Sequence, residues 1–292
     1  MHPRPSLLWM LGRVVLFLCV CLPTEVQAHP LKITTWNLDW LTDRPSDDPD
    51  LPADIPHRSD HDRERLRHYA QKLNSDIIAL QEVDDTLSAE HLFDPSLYSV
   101  IMIPDPIVQR VGLAIRRPLN VTLNPELSAL DVSRPHAQHH LRAGLDVTLH
   151  DGDASLRLLV VHLKAGCWER PLAERKHSCP TLYQQFHIIE NWILDRQDDG
   201  MPFVILGDFN RRLVPNDPLM KQLNSDASLT LTTAGYASPC RGGKRFIDHI
   251  ILGNSAQNWL IPDSLRVMTY RDDRSQKGLS DHCPVSVKLS LP

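Results

Sequence analysis

The sequence is short of positive charge. It has 31 Lys and Arg against 36 Asp and Glu, a formal net charge of −5 with histidines neutral. A protein that grips many phosphates through its overall field reads positive, so any anion bound here must be held at a local site. No apolar run after the first 28 residues reaches spanning length, no internal repeat occurs, and no Cys-x-x-Cys pair is present. These absences argue against later membrane-crossing helices, a repeat architecture and the usual cysteine zinc sites.

The start of the chain differs from the rest. "MHPRP" leads into "LLWMLGRVVLFLCVCL", which Gly12 and Arg13 interrupt. Its unbroken stretch is about ten residues, too short to span a bilayer. Val26-Gln27-Ala28 is a small-x-small cleavage pattern. Neither Cys19 nor Cys21 follows Gly, Ala or Ser, so a lipoprotein site is not expected. Residues 1–28 are expected to be an export leader that is removed, leaving 29–292 as one large domain, secreted or periplasmic and without stable membrane insertion. Losing Arg4, Arg13 and Glu25 leaves 29 basic and 35 acidic residues, a net of −6. Cys167, Cys179, Cys240 and Cys283 remain, and an even count in an exported chain suggests two disulfides with three connectivities. Pairing Cys167 with Cys179 closes a short loop and leaves Cys240 with Cys283.

Ten strand-like runs follow, at 31–37, 76–83, 98–103, 111–117, 141–150, 155–164, 202–210, 246–252, 265–270 and 282–291. Some alternate and others are wholly apolar, as strands do when one face meets helices and the other a buried interface. Asp151-Gly152 in "HDGDAS" marks a hairpin tip. Helical spacing at 63–74 aligns Leu66, Tyr69, Ala70 and Leu73. At 181–194 it aligns Leu182, Phe186, Ile189, Trp192 and Ile193. Two packed sheets with helices outside are expected. The segment from Asp43 to Asp62 holds seven aspartates but no EF-hand spacing; it reads as a solvated loop bordering the site. "PHAQHH" (135–140) lacks the partners for a tetrahedral zinc site and reads as surface.

The strand ends share a chemistry. "TTWNLD" ends in Asn37 and Asp39, "IIALQE" in Glu82, and "VVHLK" in His162 and Lys164. "VILGDFN" ends in Asp208 and Asn210, "FIDH" in Asp248 and His249, and "LSDH" supplies Ser280, Asp281 and His282. Any one of these is ordinary: a turn cap, a surface ion pair, a satisfied core histidine. Six together imply one mouth at the strand edges, and converging carboxylates imply a bound cation or a shared proton. Oxygen donors without cysteine favour Mg²⁺, Mn²⁺ or Ca²⁺ over zinc.

"TTWNLDW", "IIALQEVD", "VVHLKAG", "VILGDFN", "FIDHIIL" and "LSDHCPV", in this order, resemble the endonuclease/exonuclease/phosphatase superfamily, with its deoxyribonuclease I-like fold. The resemblance covers about residues 31–289 and implies a four-layer αββα sandwich, two mixed β-sheets face to face with helices outside. It implies Glu82 as the main metal ligand, with Asp39 and Asp281 beside it and Mg²⁺ as the first expectation. Asn37 and Asn210 would hold phosphate oxygens and orient their neighbours, and Asp208 would position or deprotonate the attacking water. His282, backed by Asp248, would contact phosphate and help carry the proton, and His162 would serve the leaving oxygen. Lys164 and Arg142 are further phosphate contacts or, on the plainer reading, solvated surface residues. His249 stands where many members carry Tyr or Arg, so a substrate contact there stays open.

The resulting expectation is a metal-dependent phosphodiesterase acting on DNA or RNA. The alternative is a phosphoesterase of lipid headgroups, sphingomyelinase-like, or of small phosphorylated metabolites, which the acidic balance and 6% aromatic content favour. A non-catalytic binding protein on the same fold would be expected to lack one of these groups, and none is lacking. Cleavage polarity and oligomeric state are not legible.

Overall fold

A computed structural model describes residues 30–137, 140–175, 178–240, 242–270 and 278–292. The expected leader lies outside them. Strands β1 (Leu31–Leu41), β2 (Ile77–Val83), β3 (Tyr98–Met102), β4 (Arg110–Arg116), β11 (Arg266–Val267) and β12 (Val285–Leu289) form one six-stranded sheet, ordered β11-β12-β1-β2-β4-β3. Strands β5 (Asn120–Leu123), β6 (Leu145–Asp151), β7 (Ala154–His162), β8 (Phe203–Asp208), β9 (Leu229–Leu231) and β10 (Asp248–Gly253) form the other, ordered β5-β6-β7-β8-β10-β9. Both are mixed: β1 runs parallel to β2, and β7 parallel to β8, amid antiparallel pairs.

Period-two alternation decides what each face buries. Ile33, Ala79 and Val287 of the first sheet meet Leu158, Leu206 and Ile250 of the second in an apolar layer between the sheets. The opposite faces bury Ile78 and Leu80 under helix α1 (Asp60–Leu73), and Val161 and Ile205 under α3 (Cys179–Asp198) and α4 (Pro218–Leu223). The layers are therefore α, β, β, α. Each apolar side chain removed from this interior is worth about 2–5 kcal/mol, so the layers hold the strand ends in fixed positions.

All ten expected strands are present, with ends shifted by a few residues. Strands β5 and β9, and the helices α2 (Thr86–Glu90) and α4, are additions too short to leave a periodic trace. Helix α1 begins three residues early because Ser59 caps it, bonding Asp62 reciprocally. The β6–β7 turn centres on Gly152-Asp153, one residue later than read, since Asp151 pairs with Ala154. Cys167 bonds Cys179 and Cys240 bonds Cys283. The loop from 43 to 59 is less solvated than its composition suggests: Leu51, Ile55 and Arg58 are buried.

Candidate active site

The polar cluster grows out of the inward-facing rows. Along β7 the row Leu156, Leu158, Val160 ends at His162; along β8, Val204 and Leu206 end at Asp208; along β10, Leu252 and Ile250 end at Asp248. Register places His162 beside Asp208 and Asp208 beside Asp248, so three adjacent strands finish in one polar row. On β1 the same parity, Ile33 and Thr35, ends at Asn37. Gly207 has a structural reason of its own. It lies within β8, not at a turn, and a Cβ there would stand 1.9 Å from the Val161 carbonyl.

Glu82 breaks the rule. Its neighbours Ile78 and Leu80 face the helix side, and simple alternation would send Glu82 there too. A register shift between Leu80 and Val83 and a left-handed backbone at Glu82 (φ 58°) turn the carboxylate inward. Asp39 and Trp40 (φ 49° and 58°) and Asn210 (φ 50°) are bent the same way. The buried guanidinium of Arg58 anchors the β1 break. It donates to the carbonyls of Leu38, Asp39, Trp40, Gly278 and Leu279 at 2.8–3.1 Å, joining this bend to the segment that carries His282.

The groups meet across the seam between the sheets. Asn37 Nδ2 donates to Glu82 Oε1 at 2.9 Å and to Asp208 Oδ2 at 3.2 Å. His162 Nε2 lies 3.5 Å from Glu82 Oε1 and 3.8 Å from Asp208 Oδ2. His282 Nδ1 bonds Asp248 Oδ1 at 2.8 Å, and its Nε2 stands 3.7 Å from Asp208 and 3.6 Å from Asp281. Asn210 fixes Asp208 with its backbone N–H at 2.8 Å and reaches the Leu163 carbonyl at 3.0 Å.

Burial and crowding separate the protonation states. Burial pushes Asp208 up to about 7; Asp248 and Glu82 add to this while His282 opposes it. Burial also raises Asp39 to about 6, helped by Asp281. For His282 burial works against charge, but Asp248 and Asp208 overcome it and raise the imidazole to about 10. Burial holds His162 well below its usual range, with Arg142, His282 and Lys164 adding repulsion. These surroundings favour the charged form of His282 and the neutral form of His162.

Two triads bring ligand atoms within 4.8 Å of one another: Glu82–His162–Asp208 and Asp208–Asp248–His282. A protonated imidazole has no lone pair to give, so the second triad suits proton handling. The Glu82 side fits a hard divalent ion: oxygen-rich, less buried, and with Asp39 close enough to feel its charge.

Arg142 is buried rather than solvated, reaching the Leu163 carbonyl at 3.4 Å, and its Nε has no protein partner. Lys164 is held through its backbone N–H by Gln185 and lies near enough to repel charge on His162. Asp281 sits at the rim, its side chain 67% exposed. His249 points away from the cluster. It is fully buried against Phe209, with Nδ1 at Thr233 Oγ1 (2.6 Å) and Nε2 at the Arg211 carbonyl (3.0 Å). Parity explains this, since Asp248 and His249 are neighbours and must face opposite sides.

Sequence reasoning missed three supports. Gln109 donates to Glu82 Oε2 at 2.7 Å. Tyr270 donates to the His282 carbonyl at 2.8 Å and accepts from Trp36 at 2.9 Å. Arg58 is the third. None carries a local signature, because each works through partners remote in sequence. Gln109 also lines a cavity of about 500 Å³ with Trp40, Arg44, Arg110 and His140.

The model of the Endonuclease/Exonuclease/phosphatase family matches residues 34–282. Among solved structures, the human Nocturnin catalytic domain with bound sulfate is similar at a TM-score of 0.57 and 17% identity, covering 90% of this chain and 95% of that one. TDP2 of D. rerio complexed with a single-strand DNA product is similar at 0.59 and 18%, covering 89% and 98%. An endonuclease/exonuclease/phosphatase from Bacteroides vulgatus follows at 0.57 and 14%, covering 90% and 100%. No curated protein sequence matches the chain.

Proposed function

The chain belongs to the endonuclease/exonuclease/phosphatase family, and on that premise we propose that it is an exported, divalent-cation-dependent phosphodiesterase that cleaves nucleic acid. The observation that carries this is the His282–Asp248 pair set beside Asp208, with His162 neutral across the row. Phosphate-ester hydrolysis needs an in-line water, neutralised non-bridging oxygens and a proton for the leaving group. Glu82 and Asp39 would hold the cation, with Asp281 at the rim. When bound, that cation supplies charge neutralisation at the phosphate.

Asp208, with its carboxyl raised to about 7, can orient a water and take its proton near neutral pH. Asn37 and Asn210 lock the Asp208 oxygens, so its orientation is fixed before substrate arrives. The His282 imidazolium, steadied by Asp248, donates to a phosphate oxygen. His162 is neutral until a phosphate adds negative charge beside it, which favours its protonated form and suits it to the leaving oxygen. Arg142 and Lys164 add positive charge on that side.

Two disulfides suit an oxidising compartment and support export. The net charge of −5 favours a second reading, a phosphoesterase of lipid headgroups or small metabolites. Assay of the purified protein on plasmid, single-stranded DNA, RNA, sphingomyelin and sugar phosphates separates the two. Nucleic-acid cleavage that needs Mg²⁺ and stops with EDTA is expected. No cleavage with Mg²⁺, Mn²⁺ or Ca²⁺ would overturn the reading.

A further inference from the structure

Beyond the ends of β8 and β10 lies a separate cavity of about 310 Å³, lined by Trp168, Arg212, Lys244 and Ile247. Its lining lies close in sequence to the reacting groups: Arg212 is two residues past Asn210, and Ile247 directly precedes Asp248. Trp168 is 46% exposed, although an indole of this size gains much from burial. Its backbone is held firmly in that exposed position. Trp168 has a left-handed φ of 39°, bridges Arg211, accepts from the Arg212 N–H at 3.0 Å and follows the disulfide-bonded Cys167. Arg211, paired with Asp217 at 2.7 Å, braces the same loop through the Arg170 carbonyl and the Cys167 sulfur. The guanidinium of Arg212 lies 5.8 Å from the Trp168 ring, pairs with Glu169 at 2.7 Å, and leaves a buried Nε without a partner.

A rigidly presented aromatic ring with two cations, beside a phosphodiester site, has a narrow set of ligands. A quaternary ammonium would welcome the indole but is repelled by Arg212 and Lys244. A planar base carrying a phosphate satisfies both, the ring by stacking and the cations by charge. We propose that this cavity is a substrate subsite in which Trp168 stacks one nucleobase and Arg212 and Lys244 hold the adjoining phosphate. The proposal rests on the nuclease reading above and names where a base and its phosphate would be held.

Two measurements on the full chain test it. In EDTA, where turnover stops, adenosine 5′-monophosphate should quench the tryptophan fluorescence more strongly than phosphocholine, which offers a phosphate but no ring to stack. Trp168→Phe keeps a ring but removes the fluorophore, so most of the quench should vanish. On a single-stranded oligonucleotide and a length-matched abasic strand, Trp168→Ala should lower kcat/KM roughly tenfold more on the base-bearing strand, chiefly through KM. Equal losses on both strands, a quench that persists in Trp168→Phe, or a stronger quench by phosphocholine would each overturn the subsite. Trp168-dependent quenching in a protein that cuts no nucleic acid would uphold the subsite while removing the nuclease reading.

Discussion

The two sheets bring unlike halves to the cluster. The first contributes Asp39 and Glu82 from strands that break into left-handed residues, and leaves both partly open to solvent. The second contributes His162, Asp208 and Asp248 from unbroken strand ends, and buries all three. A half-open pair of oxygens suits an ion that keeps some of its water. A buried row suits proton transfer, because burial lifts the Asp208 carboxyl toward neutral pH. The pairs Asn37–Asp208 and His282–Asp248 tie the halves together, so neither sheet holds a complete site.

The sharpest way to break this division is His282→Ala, which removes the charged imidazole that reaches from the first sheet to the buried row. Turnover should fall about 10²- to 10⁴-fold with metal affinity little changed, and the chain should still fold, less stably because the buried Asp248 carboxylate loses its partner. Glu82→Gln strikes the open half. It should weaken the apparent affinity for Mg²⁺ roughly ten- to hundred-fold, the loss that even outer metal partners cause, as read from activity against Mg²⁺ concentration. If the two variants gave the same defect, the division of labour would be wrong.

The smallest effect concerns His249, a buried histidine outside both halves. Burial lowers it to about 4, opposed by its contacts with Arg211, Asp248 and Phe246. A depressed folded-state value means the unfolded chain binds the proton first. The stability this group contributes is therefore complete above about pH 6.5 and is lost as pH falls toward 4. Chemical denaturation should show about 2 kcal/mol of such loss between pH 7 and 5. His249→Gln should flatten that slope even if it lowers stability at pH 7.

Much of this was legible in the residues. Strands with apolar alternation read clearly, and the polar groups at their inner-row ends, Asn37, His162, Asp208 and Asp248, came with them. Parity, applied one step further, would also have set His249 aside from Asp248. Glu82 resembled its relatives in "LQE", but its inward turn depends on a bulge that alternation cannot reveal. Arg58 was hidden in a segment rich in Pro and Asp, whose composition suggests solvent while its guanidinium bonds five carbonyls. Gln109 and Tyr270 act across the fold on groups 27 and 12 residues away, and no local pattern marks such a partner.

The most direct test is anomalous scattering from crystals of the protein grown with Mn²⁺. The expected result is one strong peak within roughly 2.0–2.6 Å of a Glu82 carboxylate oxygen, close to Asp39 and clear of the His282–Asp248 pair. A fully occupied ion elsewhere on the molecule, with Glu82 bare at saturating Mn²⁺, would contradict it.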